Sequence, residues 1–416
     1  MLVNLNSGLR KSVFAALCLA TVGAYVAVVA NHYVAFRLGT RTDAQSLERA
    51  AALEPGNAEP QWKLGRYSLY VAQNPAAAIA NLETAVALNP HIAQYWLDLA
   101  SGYQVAGDIQ RQSRALEKAL QAEPTAPDVA WQVANFYLVE SDVTRALPLF
   151  RTVMENDPTK VDAALQLCWQ ATKDVDAILS QALPAKPDIY FVLLNLLIES
   201  GEAAPASEVW ARLLFLKQTF TTTHAFRYFD YLLKEEQTNS AVQVWQALAN
   251  RSSELSSYIE PGNLIVDGNL EKSFLNGGFD WRYELLDAVQ LSVDTSDFHG
   301  GNQSLRIAFK GPAVANAGFF QFVPVHPNTD YRFSAYTKAQ DIESASGPRV
   351  VIVDAYSSDS YVTTDDSLGT TGWRQQLADF KTGPETSMLL VKVARVPGDS
   401  LIKGTFWIDD ISLVQR

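Results

Sequence analysis

Apolar positions along the chain change their spacing twice. Ser12 to Ala30 is a run without a single charge, and as a helix it would rise ~28 Å, close to the ~30 Å hydrocarbon thickness of a bilayer. Such a helix can span. Arg10 and Lys11 on its short N-terminal side predict a cytoplasmic N-terminus and an extracytoplasmic remainder, a bias that Arg37 and Arg41 weaken. A cleaved signal peptide is the competing reading, since Val28–Ala30 resembles a small-residue cleavage site. Cys18 follows Leu17, a bulky residue where a lipoprotein signal takes a small one, and reads as a packing thiol. Residues 1–40 are thus read as a cytoplasmic tip and a membrane or signal-anchor helix.

From 41 to 257 the apolar spacing is helical and the stretch repeats itself. Pro55, Pro90, Pro124 and Pro158 each close a similar helix end, at separations of 35, 34 and 34 residues. From 258 to 416 apolar residues instead alternate at period two between turn residues, as in antiparallel strands. Glycine marks the change, with five in 41–257 and fourteen in the shorter 258–416. Tyr331, Phe333 and Ala335 fall on one strand face, and Arg332, Ser334 and Tyr336 on the other. Val350–Tyr356, Met388–Arg395 and Thr405–Leu413 read as further strands, in a set of about eight to ten.

The first stretch resembles the tetratricopeptide repeat, in which a helix pair ends at a proline that cannot continue the helix. Leu99, Ala100, Tyr103, Gly107, Asp108, Ala119 and Pro124 follow that family's large and small alternation, as do Ala134, Tyr137, Ala146, Phe150 and Pro158. The unit ending at Pro90 needs one inserted residue near Asn74 and Pro75. About six pairs are expected, the last ones degenerate, with Trp62, Trp96 and Trp131 in the core. Leu47, Ala50 and Leu53 look like the second helix of a pair whose first helix starts inside the membrane run, so residues 31–38 would carry that run into the solenoid. The resemblance implies a groove that holds a protein segment, with Asp98, Gln132 and Asn135 as candidate lining residues.

The second stretch resembles the carbohydrate-binding modules with a galactose-binding-like jelly roll. Asn263–Glu271, Gly278–Trp281, Gly300–Arg306, Phe320–Tyr331, Gly372 with Trp373, and Phe406–Leu413 follow that family's motifs in order, with Asp267 and Leu270 as departures. Such modules stack aromatic rings on sugar faces and hydrogen-bond the hydroxyls. The resemblance nominates Trp281, Tyr283, Gln321, Arg332, Tyr336, Asp354, Tyr356 and Lys392 as a glycan cleft, and leaves Trp373 and Trp407 to the core. It also implies a structural calcium on Glu271 and Asp409, hard oxygen ligands that tie the first strand to the last. Asp409 is preferred to Asp410 because strand alternation lets only one of them face as Trp407 does.

Composition narrows the function. Lys+Arg number 33 against 45 Asp+Glu, a net charge of -12 that argues against nucleic acid as a partner. Two cysteines and five scattered histidines make a zinc cage or a disulfide framework poor readings. No Gly-Lys dipeptide, GxGxxG or GxSxG motif occurs, which removes the corresponding phosphate-binding and hydrolase signatures. Glycoside cleavage needs two carboxylates about 5–10 Å apart, and no pair is singled out.

The expected architecture is a membrane helix, an all-α tetratricopeptide-type solenoid and an antiparallel β-sandwich, with no required cofactor. The expected role is a non-catalytic scaffold, single-pass in the inner membrane with its bulk in the periplasm. It would bind a protein through the repeats and a polysaccharide through the sandwich, in surface polysaccharide assembly or export. The alternative is a purely protein–protein scaffold whose sandwich is a structural or docking domain; a glycan-active hydrolase ranks below both.

Overall fold

The structure is a computed structural model and describes residues 7–416. It divides into two compact units, one running to Leu196 and including Ala204–Leu216, the other made of Leu197–Ala203 and Lys217–Arg416. In the first, Ser7 caps a single long helix, α1 (Gly8–Gly39). The helix is long and apolar enough to cross a membrane, and none of its most apolar window is buried. Its last turns behave differently. Ala35 and Gly39 are buried, Asn31 Nδ2 donates to the Leu53 carbonyl at 3.1 Å, and His32 pairs with Glu54. Leu53 ends α2 (Ala44–Leu53), so the far end of α1 serves as the first helix of a hairpin.

Three regular pairs follow: α3 (Ala58–Tyr70) with α4 (Pro75–Leu88), α5 (Ala93–Ala106) with α6 (Ile109–Ala122), and α7 (Pro127–Val139) with α8 (Val143–Asn156). Small residues let the paired helices approach. Ala78, Ala85, Ala100, Ala119, Ala134 and Ala146 are buried, and a Cβ on Gly65 would lie 2.5 Å from Leu82 Cγ. The turn between paired helices uses one device twice. Gly107 adopts φ +74° and Ser141 φ +61°, after which Asp108 and Asp142 cap the next helix by accepting from the Arg111 and Arg145 amides. Those arginines then lie 5.0 Å and 4.3 Å over the rings of Tyr103 and Tyr137.

Beyond Pro158 the pattern loosens into α9 (Val161–Thr172), α10 (Val175–Ala177) running on into a π turn at Ile178–Ala182, α11 (Pro187–Glu199) and α12 (Ala203–Phe215). Trp169 and Trp210 are buried, but Trp62, Trp96 and Trp131, expected in the core, are only half-buried. An indole N–H needs an acceptor. Trp62 finds the Asp98 carboxylate at 2.6 Å and Trp96 the Pro90 carbonyl at 2.8 Å, both at the edge of the packing.

The second unit opens with α13 (Phe226–Lys234), α14 (Thr238–Ala249) and α15 (Ser253–Ser256). Ten strands follow: β1 (Arg282–Tyr283), β2 (Val289–Asp294), β3 (Ser304–Gly311), β4 (Asn316–Pro324), β5 (Asp330–Glu343), β6 (Arg349–Asp354), β7 (Ser360–Thr363), β8 (Gly369–Lys381), β9 (Met388–Ala394) and β10 (Ile402–Gln415). They form two antiparallel sheets, in the orders β1-β4-β9-β6-β7 and β2-β3-β10-β5-β8. Tyr331, Phe333 and Ala335 of β5 face inward, as period two predicts, and meet Phe319, Ile352 and Val391 of the other sheet in one core.

The helical pair α13–α14 packs on this sandwich. The Phe279 ring meets Phe229 edge-on at 4.7 Å and Trp245 at 5.9 Å. Beside it Gly278 sits at φ +61°, where a Cβ would come within 2.1 Å of Trp245 Cζ3. Arg282 Nη2 donates to Asp230 at 2.5 Å, and the hydroxyls of Thr238 and Ser387 lie 3.0 Å apart. Phe279→Ala is therefore expected to destabilise the second unit by about 3–5 kcal/mol, read from urea denaturation followed by tryptophan fluorescence. An unchanged midpoint would contradict this packing.

Next to Phe279, burial pushes the carboxyl of Asp280 up to about 7 and that of Asp267 up to about 6, against the pull of amide donors; the Asp267 charge adds to the rise at Asp280, and the Glu260 charge to that at Asp267. Asp280 accepts from the Leu275 amide at 2.6 Å; Asp267 accepts from the Glu271 and Lys272 amides at 3.1 Å and 3.3 Å. A carboxyl whose folded value lies above its unfolded one favours folding when protonated. This contribution is present below 3.8 and is lost as the pH rises through about 7. Asp280→Asn is expected to flatten the loss of stability over that window, by at most about 4 kcal/mol, in unfolding curves recorded as a function of pH.

Candidate functional site

The repeat face comes first. Asp98 on α5 is buried and already engaged: besides the Trp62 indole it lies 3.5 Å from the Tyr70 hydroxyl and 3.8 Å from Arg66 Nε. It fastens α3 to α5 and is not open to a partner. Gln132 and Asn135 on α7 are half-buried, and Asn135 donates back to the Trp131 carbonyl one turn earlier. What sequence reasoning missed is a row of exposed apolar side chains. Tyr70, Val105 and Val139 end the first helix of three successive pairs and are 55 %, 63 % and 73 % exposed. Their spacing follows the proline period and was legible in principle.

The eight glycan candidates scatter. Trp281 is core: it stacks on Phe319 at 4.5 Å and donates to the Asp267 carbonyl at 3.0 Å. Gln321 is also core, and its amide bonds both the N–H and the C=O of Val266. Both are corrections to the cleft proposed from sequence. Asp354 is buried at the end of β6, where it accepts from the Tyr356 and Ser357 amides, so it closes a turn. Tyr356 follows in that turn, and burial raises its hydroxyl above the usual value. Lys392 lies on β9 in the first sheet, and Tyr283 on β1 at that sheet's edge. Arg332 and Tyr336 lie on β5 in the second sheet. A strand's parity says which residues share a face, not which sheet is open.

The second sheet brings aromatic and polar groups together on an outward face. Tyr336 stacks on His299 at 3.5 Å, and Trp373 of β8 lies 6.0 Å from that imidazole. Exposed Gln375 is paired across from Tyr336, and exposed Leu377 from Ser334. Further along, Asp379 receives both Arg332 nitrogens at 2.8 Å and 2.9 Å and also Arg416 at 2.9 Å. Burial lifts Asp294, but hydrogen bonds from Ser296, Trp407 and the Asp297 amide outweigh it and hold the carboxyl at about 2. Trp407 is buried as expected, with Lys338 at 5.4 Å and Arg306 at 5.8 Å over its ring. Trp373, assigned to the core from sequence, is half-buried on the outward face.

Glu271 and Asp409 converge on one loop, but on its amides. Glu271 Oε1 accepts from the Asn302 and Gln303 N–H groups at 2.6 Å and 3.1 Å, and Asp409 Oδ2 from His299 and Gly300 at 2.8 Å and 3.1 Å. These donors turn positive hydrogens toward the oxygens a cation would need. Among the described residues no group of three His, Cys, Asp or Glu could hold a metal. The arrangement therefore does not fit the calcium implied by the resemblance. Alternation also fails locally: Asp410 is at φ +45° beside a register shift, so its carboxylate reaches His299 Nδ1 at 2.5 Å and joins Asp409 at the same loop.

No family model matches the sequence, and no curated protein matches it. Among solved structures, one described as "CBM4 structure and function" is similar over 36 % of this chain and 99 % of its own, at 14 % identity and a TM-score of 0.29. The CBM22-1 xylan-binding domain of Paenibacillus barcinonensis Xyn10C is similar over 36 % and 91 %, at 15 % identity and a TM-score of 0.26. YrrB, a TPR protein with an unusual peptide-binding site, is similar over 42 % and 94 %, at 17 % identity and a TM-score of 0.29. This chain carries a helical repeat region and a C-terminal two-sheet β-sandwich.

Proposed function

We propose that this chain is a non-catalytic, membrane-anchored envelope scaffold that engages a protein segment through its repeats and a polysaccharide through its sandwich. The supporting observation for the sugar half is the outward face of the second sheet. There Tyr336, His299 and Trp373 supply ring surface, and the exposed Gln375 amide, paired across from Tyr336, supplies donor and acceptor. Ring faces suit the C–H face of a pyranose, and a fixed amide suits its hydroxyls. On the helical side, the recurring exposed Tyr70, Val105 and Val139 offer an apolar ladder to an extended or helical segment. The long apolar α1 supplies the anchor. Surface polysaccharide assembly or export is the role that joins these three parts.

A second reading, in which the sandwich docks a protein, is favoured by one fact. Arg332, Gln321 and Asp354 are spent on bonds within the domain. The test is affinity electrophoresis of the full chain in detergent against a polysaccharide panel. Trp373→Ala and Tyr336→Ala are each expected to weaken retention by about 1 kcal/mol, roughly fivefold. Absence of retention on every polysaccharide, or equal retention of wild type and a double variant, would remove the sugar reading in favour of the second.

A further inference from the structure

We propose that the free edge of β2 pairs with the β2 of a second copy of this chain. β2 has one neighbour, β3, with Val289 opposite Phe309, Leu291 opposite Ile307 and Val293 opposite Leu305. Its other side is open. In an antiparallel ladder alternate residues turn both backbone groups toward the same neighbour. Lys310 N–H donates to the Ala288 carbonyl at 3.0 Å, so residues 288, 290 and 292 point at β3. Val289, Leu291 and Val293 then point their N–H and C=O groups at the open side, where the Val289 N–H alone is taken, by the Leu286 carbonyl at 3.1 Å.

The five residues 289–293 read Val, Gln, Leu, Ser, Val, which is symmetric in apolar and polar character about Leu291. A two-fold axis through Leu291 sets Leu291 against Leu291, Val289 against Val293 of the second copy, and Gln290 against Ser292. Apolar side chains then meet apolar on the core side and polar meet polar outside, which is what an isologous interface requires. Such a pair uses the N–H and C=O of Leu291 and the Val293 N–H, which donates to the Val289 carbonyl of the second copy, while the Val289 N–H stays with Leu286.

The edge also lacks the usual protection. Native edges carry charges, prolines or bulges, and β8, at the other end of this sheet, has Arg374, Asp379 and Lys381. Residues 289–293 have no charge and no proline, and Asp294, which closes the strand, falls opposite Ala288 of the second copy, so no like charges stand directly opposite one another in a chain of net charge -12. A cavity of about 660 Å³ runs along this edge: five consecutive residues, 289–293, line it together with Phe274, Leu286 and Phe319. Consecutive strand residues alternate in face, so all five can line one space only if it lies along the edge. Its rim carries both signs, Lys310 against Glu284 and Asp287, and Leu285 beside it is 92 % exposed. A second strand would cover this opening.

The test uses the full chain in detergent with Cys18→Ser, because Cys168 is buried. Facing Cα atoms of such a pair stand about 5.5 Å apart, within disulfide reach. Under mild oxidation Leu291→Cys is expected to form covalent dimer at least about tenfold faster than Leu377→Cys on exposed β8, through the effective concentration of a preformed pair. Light scattering is expected to give a dimer for the parent chain and a monomer for Leu291→Lys, which sets two lysines on the axis. Val293→Pro should also be monomeric; it removes only an edge-facing N–H, which a strand tolerates, and it carries the test if the lysine variant fails to fold. Equal crosslinking rates at 291 and 377, or a parent mass unchanged by Val293→Pro, would overturn the proposal. So would a monomeric parent that pairs this edge with an added apolar peptide.

Discussion

A two-helix hairpin has more apolar surface than its own partner helix can hide, and the helical part of this chain is arranged around that deficit. Each pair hands its uncovered face to the next across small residues, as at Gly102 on α5, where a Cβ would lie 3.2 Å from Ile79 of the preceding pair, and within a pair Gly65 leaves no room for even a Cβ beside Leu82. The same requirement governs α13–α14, where no further hairpin follows. There Phe279, delivered by a glycine in the left-handed region, takes the place of the missing neighbour between Phe229 and Trp245. The strand domain is thus joined to that hairpin by core-like packing and not by a linker alone.

The architecture was largely legible in the residues, because it is written in periodicities. Prolines 34 or 35 residues apart, small residues at fixed offsets and alternation at period two each reflect a repeated packing problem with one solution. The tryptophans misled because their rings signal burial while the indole N–H draws them to the margin, as at Trp62 and Trp96.

The candidate sites were less legible, for reasons particular to each residue. Gln321 and Arg332 look alike on a strand pattern, yet one satisfies the backbone of Val266 inside the core and the other pairs with Asp379 in solvent. Asp98 reads as a polar groove residue but is the acceptor an adjacent indole requires. The Asp409 and Asp410 pair defeats alternation because a single left-handed residue resets the parity of the strand. Trp373 and Gln375 shared a face by parity; what could not be read was that this face of the second sheet stays open.

The helix α1 runs without interruption from its exposed apolar turns to Gly39, and among the described residues its lateral fastenings lie in the last turns, at Asn31, His32, Ala35 and Gly39, whose carbonyl accepts from Lys63 Nζ at 2.8 Å. No proline breaks it, and no glycine falls between Tyr25 and Leu38. It therefore acts as a stiff lever arm. A tilt of the glycine-free stretch after Gly23 is passed to α2 through Asn31 and His32, so the heading of the first hairpin follows the orientation of that stretch.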